Sequence, residues 1–365
     1  MTILYDEQQQ QIADEAARIL AARTSSERLK ELLERTGDYD EAFWDTCREQ
    51  GWTGIGIPED AGGIGLGLVE LGLVAEACGA VACGAPFLGT SFGAAQAILR
   101  YGDADTRAAW LPRLASGEAI GAVAFAEGAD MIPASPALRC ANGRLTGATP
   151  AVAGGAAGDI AVVLASGEHG PVLALVALDQ PSVAVTTIET FDNSRCTADL
   201  SFDGAEVIVL ETGNAAAAAL DILSIQAVVT AHEQVGGAAK MMNAARDFAM
   251  TRQAFGQPIA AFQSVKHRIA EDYVLIELAR ANALQAAASF GSPAFGRNAA
   301  AARLSATEAY DTASRDSTQV HGGIGVTWES DLHLHQRRAR SLAIEGGPML
   351  FWEDVLVDLL AGEAA

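Results

Sequence analysis

From Ala215 to Thr251 the chain contains no proline, and it then meets an abrupt stop at Phe255-Gly256-Gln257-Pro258. Proline removes a backbone donor and biases the residue before it away from the helical region. An alanine-rich run closed in this way therefore predicts one long helix. Further helical periodicities follow over 265–289, 297–319, 328–343 and 349–360. Helices of that length gain most of their stability from packing an apolar face, so the C-terminal part is expected to be a bundle of about four long helices.

The first third also reads as helical. Asp6–Ala22 places Ile12, Ala16, Ile19 and Leu20 at helical spacing, and Asp40 can cap a second run through Phe43, Trp44 and Cys47 that Gly51 ends. Pro58 to Gly67 is a glycine-rich turn rather than a phosphate loop, because no strand precedes it and no Lys-Ser/Thr follows. Helices are expected from Leu68 to Cys78 and from Gly89 to Tyr101, and Pro112 and Gly117 mark a change of character. Between them and the long helix, 160–165, 172–178, 183–188 and 198–202 read as short strands bounded by turn residues. The expectation is an α+β chain: a helical domain over 1–118, a β domain over 119–211 and a helical bundle over 212–365.

The charge balance excludes some partners. With 46 acidic against 24 basic residues the formal net charge is −22, which argues against nucleic acid and anionic membrane surfaces. Solubility is the plain reason for such a charge, and a redox partner with a basic face is the alternative. Cys47, Cys78, Cys83, Cys140 and Cys196 are scattered, with no CxxC pair, and read as buried thiols of a reducing compartment. The polar N-terminus does not look like a leader, and Asp221 and Gln226 interrupt the most apolar stretch, so a cytoplasmic, non-membrane protein is expected. His333 and His335 lie two apart on an expected helix, point to different faces, and read as a solvated surface rather than a metal site.

Two segments carry the chemistry. One is Arg252-Gln-Ala-Phe255-Gly256-Gln-Pro258-Ile259, continuing to Phe262-Gln263-Ser-Val-Lys266-His267; the other is Gln319-Val-His321-Gly322-Gly323-Ile-Gly325. Arg252 is a permanent cation with a planar fork suited to diphosphate oxygens. Phe255 offers an apolar face, Gln263 and Gln319 offer amide donors and acceptors, and Gly322-Gly323 let backbone N–H groups come close to a ligand. Read alone, His321 is structural. Together the segments resemble the paired signatures of the acyl-CoA dehydrogenases, and the resemblance extends from Trp52–Glu59 to the end of the chain.

That resemblance implies a helical N-terminal domain, a β-barrel-like middle domain and a C-terminal four-helix bundle. It also implies FAD as cofactor, an acyl-CoA substrate desaturated between Cα and Cβ, and electron-transfer flavoprotein as electron acceptor. In the family the FAD lies at a subunit interface, and the segments quoted reach across it to the pyrophosphate and adenosine of a neighbour's cofactor.

Other parts of the family pattern are depleted here. The segment that holds the flavin ring reads Ala124-Phe-Ala126-Glu127-Gly128-Ala129-Asp130-Met-Ile-Pro133, and a second, usually carrying an indole, reads Ala151-Val-Ala153-Gly154. One family position for the catalytic base is Gln226, an amide that takes no proton at neutral pH. At the other, Glu345 sits one residue early in Glu345-Gly346-Gly347-Pro348, so a working base and a solvated loop carboxylate both remain as readings. This pattern is similar to the less complete chain of α₂β₂ family members, which completes a partner's FAD site. A self-sufficient homo-oligomer using Glu345, a non-catalytic structural subunit and a flavin oxidase or monooxygenase are the competing expectations.

Overall fold

Asp6 opens the first helix, α1 (Glu7–Arg23), through a reciprocal capping box. Its carboxylate accepts the Gln9 N–H at 2.8 Å, while the Gln9 side chain accepts the N–H of Asp6. The computed structural model describes residues 5–84 and 91–364. The described chain divides into two compact units, one of Met1–Ser26, Leu68–Cys83 and Ala227–Ala365, the other of Glu27–Gly67 and Gly84–Gln226.

The first unit holds α1, α4 (Leu68–Ala80), most of α7 (Ala215–Thr251), α8 (Gln263–Ala288), α9 (Phe295–His321), α10 (Leu332–Ile344) and α11 (Met349–Ala364). Glycines let α4 and α7 touch backbone to backbone. A Cβ on Gly236 would stand 1.8 Å from the carbonyl oxygen of Glu76, and one on Gly79 would stand 1.8 Å from that of Glu233. Two buried arginines tie the bundle internally. Arg338 pairs with Glu233 at 2.9 Å and donates to the Cys83 carbonyl at 2.7 Å, closing the end of α4. Arg303 donates to Gln234 at 2.7 Å, joining α9 to α7. By length and composition α7 is apolar enough to cross a membrane, but 78% of its most apolar window is buried, as in a core helix.

The second unit contains α2 (Ser26–Leu33), α3 (Glu41–Glu49), α5 (Phe92–Tyr101), α6 (Ala104–Ala115) and the sheet. Its strands are β1 (Gly121–Ala124), β2 (Arg139–Ala141), β3 (Arg144–Val152), β4 (Ile160–Gly167), β5 (Gly170–Ala177), β6 (Val183–Thr187) and β7 (Ala198–Val209). Following the pairings, β4 joins β5, β5 joins β7, β7 joins β3, β3 joins β2, and β2 returns to β4. The sheet thus closes into a barrel, with β1 added beside β4 and β6 beside β7. Inside it Leu145, Val163, Val176, Leu200 and Phe202 form the core.

Several boundaries differ from the periodicity. No helix was expected between Tyr101 and the change of character at Pro112, yet α6 forms there with Pro112 inside it, and Asp103 caps it by accepting the Thr106 N–H at 2.7 Å. Trp328 precedes α10 instead of starting it, because Gly322–Val326 forms a tight 3₁₀ turn and polar turn residues follow. The strand expected over 198–202 runs on to Val209, with Gly204 at φ +74° absorbing an irregularity that masks the alternation. The start expected for α5, Gly89, lies outside the described residues. All five cysteines are buried and free. His335 is not on a solvated face: it is buried, its Nδ1 lies 2.9 Å from the Tyr310 hydroxyl, and burial pushes its pKa down to about 3. His333 stacks on Trp328 with ring centroids 4.5 Å apart.

Candidate functional site

The end of α7 builds a short projecting hairpin. Arg252 donates its N–H to the Phe248 carbonyl at 2.8 Å, and its own carbonyl accepts from Ile259 at 2.8 Å. Between these closures Gln253–Ala254 pairs antiparallel with Gln257–Pro258, leaving Phe255 and Gly256 as the turn. Both turn residues have positive φ, +52° and +79°, the geometry of a type I′ turn. Glycine adopts it without strain, whereas an aromatic residue does so only at a cost. The phenyl ring is 97% exposed.

Aromatic contacts bring the two motif segments together. Phe248, one turn before the hairpin, stacks on His321 at the end of α9, with centroids 4.3 Å apart. His321 is held in turn, its Nδ1–H donating to the Ser317 carbonyl at 2.8 Å. Gly322 follows at once with φ +63°. On the other side Phe255 meets Phe262 edge to face at 6.2 Å, and Phe262 immediately precedes Gln263, the first residue of α8. The hairpin, the start of α8 and the end of α9 therefore share one end of the bundle.

This end suits an anion. Arg252, Phe255, Gln263, Lys266, Gln319, Gly322 and Gly323 are all exposed. Among the described residues neither Arg252 nor Lys266 makes an ion pair, in a chain where acidic residues outnumber basic ones almost two to one. The first turn of α8 carries no acidic residue, and Phe262 supplies no side-chain acceptor for its amides. An uncapped helix start beside two cations attracts phosphate oxygens. Cβ atoms added at Gly322 or Gly323 would meet nothing within 4 Å in this chain, so the backbone there is open to close approach. The donor set fits a dinucleotide diphosphate, with Phe255 available to cover an apolar face.

The segments expected at the flavin ring are engaged in the barrel itself. Glu127 forms a bridge with Asp130 and accepts the Ala137 N–H through its carboxylate. Ala151, at φ +53°, donates to the Asp199 carboxylate at 2.8 Å. Gln226 is buried, with its amide against Gly93. Glu345 ends α10, donating its N–H to Ser341 at 2.9 Å, while its carbonyl accepts from Arg303 at 2.8 Å. Neither Arg303 nor Phe248 was identified from the sequence. The available signal for Arg303 was a lone cation within an apolar helical stripe of alanines.

Comparison with known proteins decides the family. Residues 6–118 match the acyl-CoA dehydrogenase N-terminal domain and residues 216–350 the acyl-CoA dehydrogenase C-terminal domain. Acyl-CoA dehydrogenase IpdE2 of Mycobacterium tuberculosis is 31% identical over 92% of this chain and 92% of its own length. The chain belongs to the acyl-CoA dehydrogenase family. Two solved structures are similar over nearly their full lengths. A variant of the Tcur3481-Tcur3483 steroid ACAD has a TM-score of 0.87 at 26% identity, covering 98% of this chain and 99% of that one. The ChsE4-ChsE5 complex from Mycobacterium tuberculosis has a TM-score of 0.89 at 26% identity, covering 99% of each. This acyl-CoA dehydrogenase thus has the expected helical N-terminal part, barrel-like middle and helical C-terminal region, and its family consists of flavoprotein oxidoreductases.

Proposed function

We propose that this acyl-CoA dehydrogenase works as a subunit that clasps the nucleotide end of an FAD seated mostly in a neighbouring chain. The observation that carries the reading is the outward display of the clasp. Phe255 stands 97% exposed on a strained turn, beside a cation with no carboxylate partner among the described residues. Such an arrangement suits a ligand presented from outside the protomer. Arg252 and the α8 amides would hold the diphosphate, Gln263 and Gln319 would bond polar groups of the nucleotide, and Gly322-Gly323 would admit it closely. When bound, FAD supplies the acceptor for the hydride that leaves the substrate Cβ.

Two of the similar structures have names that pair two components, which supports a second, acyl-CoA dehydrogenase-like chain as neighbour. A steroid ACAD among them supports a bulky acyl group as substrate, and electron-transfer flavoprotein is the acceptor proposed on family grounds. Flavin-to-polypeptide stoichiometry tests the reading. The chain purified alone is expected to hold little FAD, and co-expression with its partner to restore it. Arg252→Ala should lower flavin content in the assembled enzyme, and unchanged content would remove the role given to Arg252.

A second reading concerns the base. The backbone around Glu345 is gripped by a buried guanidinium, more support than a solvated loop carboxylate requires. On this reading Glu345 takes the substrate α-proton, and the chain contributes catalysis as well as cofactor binding. Loss of turnover in Glu345→Gln, at unchanged flavin content, is the expected result.

A further inference from the structure

Arg303 has only 1% of its surface exposed, on a buried face of α9 made mostly of alanines, and it is the only charged residue among the buried residues of that helix. Its Nη2 lies within bonding reach of three carbonyls where α10 ends and the following turn begins, those of Leu342, Glu345 at 2.8 Å and Gly347 at 3.4 Å, its two N–H groups being shared among them. Its Nη1 donates to Gln234 at 2.7 Å and to the Thr307 hydroxyl at 3.2 Å. Burial pulls its pKa down to about 10, opposed first by the Glu345 carboxylate and then by Glu233. Glu233 is itself paired with Arg338 at 2.9 Å.

The turn that Arg303 grips is demanding in its own right. Gly346 and Gly347 have φ of +69° and +115°, and a Cβ on Gly347 would lie 2.7 Å from the Phe351 ring. The Trp352 indole also donates to the Gly346 carbonyl at 3.2 Å. The backbone on both sides of Glu345 is thus bonded to buried groups. Burying a cation is a poor route to stability, since well-packed apolar residues usually do as well or better. A guanidinium that reaches three carbonyls within six residues does provide precise placement of the segment they belong to.

We propose that Arg303 is a positioning residue for the dehydrogenation, holding the turn that carries Glu345 where its carboxylate can take the substrate α-proton. The inference rests on the second reading above, in which Glu345 is the base. Small displacements of a catalytic group lower turnover far more than they lower substrate affinity.

The test is a double-mutant cycle on the flavin-loaded enzyme, with the partner chain where it co-purifies, normalised to bound flavin. Glu345→Gln should remove most turnover, by on the order of 10²-fold or more. Arg303→Lys should lower kcat about tenfold to a hundredfold with KM within about twofold, and the double variant should be no slower than Glu345→Gln alone. Arg338→Lys, which alters the bundle's other buried arginine, should lower thermal stability and leave kcat per flavin in place. If Arg303→Lys does not fold, Gly347→Ala disturbs the same turn through its backbone and the Phe351 ring and should show the same non-additive loss. Turnover unaffected by Glu345→Gln would overturn the base reading and this inference with it. Loss in Glu345→Gln with kcat unchanged in Arg303→Lys or Gly347→Ala, or losses that simply multiply, would overturn the role of Arg303 alone.

Discussion

Type I′ turns need positive φ at both central positions, and Asn-Gly meets that need best. This protein places Phe255 there, at φ +52° with its ring in solvent, which trades backbone ease for an aromatic surface. Phe255→Asn should therefore stabilise the isolated chain by about 1 kcal/mol and lower flavin content in the assembled enzyme. Thermal melts and flavin absorbance would separate the two effects, and a fall in both would contradict the turn argument. Asp272 of α8 is a second residue set against stability. It is 1% exposed and neither carboxylate oxygen has a hydrogen-bond partner among the described residues. Burial first, then the nearby Asp316, raise its pKa to about 7, with Arg268 opposing. The unfolded chain gives up this proton near pH 4 while the folded chain keeps it to about 7, so stability falls as pH rises through that window and levels off above it. Asp272→Asn should be more stable than the parent at pH 8, by about 2–4 kcal/mol, and nearly equal to it at pH 4. Denaturant melts at the two pH values read the difference.

Among the elements, α7 was legible because nothing in its sequence opposes a helix, and its stop has a definite cause in Gly256 and Pro258. The seam it forms with α4 was not. Gly79 and Gly236 look like ordinary helix glycines until the carbonyls of Glu233 and Glu76 are found at 1.8 Å from where a Cβ would sit. Gly236→Ala should cost about 3 kcal/mol, seen as a lowered melting temperature; a neutral result would mean the two helices can separate at little cost. Tertiary setting also overrode local signals elsewhere. Pro112 is carried within α6, and His335 is drawn into the bundle by Tyr310. In the proposed site, Arg252, Phe255 and the glycine pair could be picked out because their types suit a diphosphate and their spacing resembles the family's, and the structure brings the two segments to one end of the bundle. The contacts that assemble them, Phe248 on His321 and Phe255 on Phe262, join residues distant in sequence that no local pattern connects. Arg303 was missed for a related reason: the turn it grips is bonded through backbone carbonyls, which leave no trace in side-chain identity, and its Gln234 partner lies far away in sequence.

At the scale of the whole molecule, α7 contributes Ala215–Gln226 to one compact unit and Ala227–Thr251 to the other, and most of its apolar window is buried. Its central amides should be among the slowest to exchange with deuterium, opening only when the chain unfolds globally. Fast exchange there, with slow exchange in the barrel strands, would show that the units unfold independently. The outward-facing hairpin has a further consequence, for how such an enzyme behaves on dilution. If a nucleotide is gripped by residues from two polypeptides, occupancy and association are one linked equilibrium, and each gains free energy from the other. The yellow colour should then fade as protein concentration drops, and added free FAD should hold the oligomer together. Protomers stripped of nucleotide should adhere to one another or to surfaces, since an uncovered phenyl ring in water favours any contact that hides it.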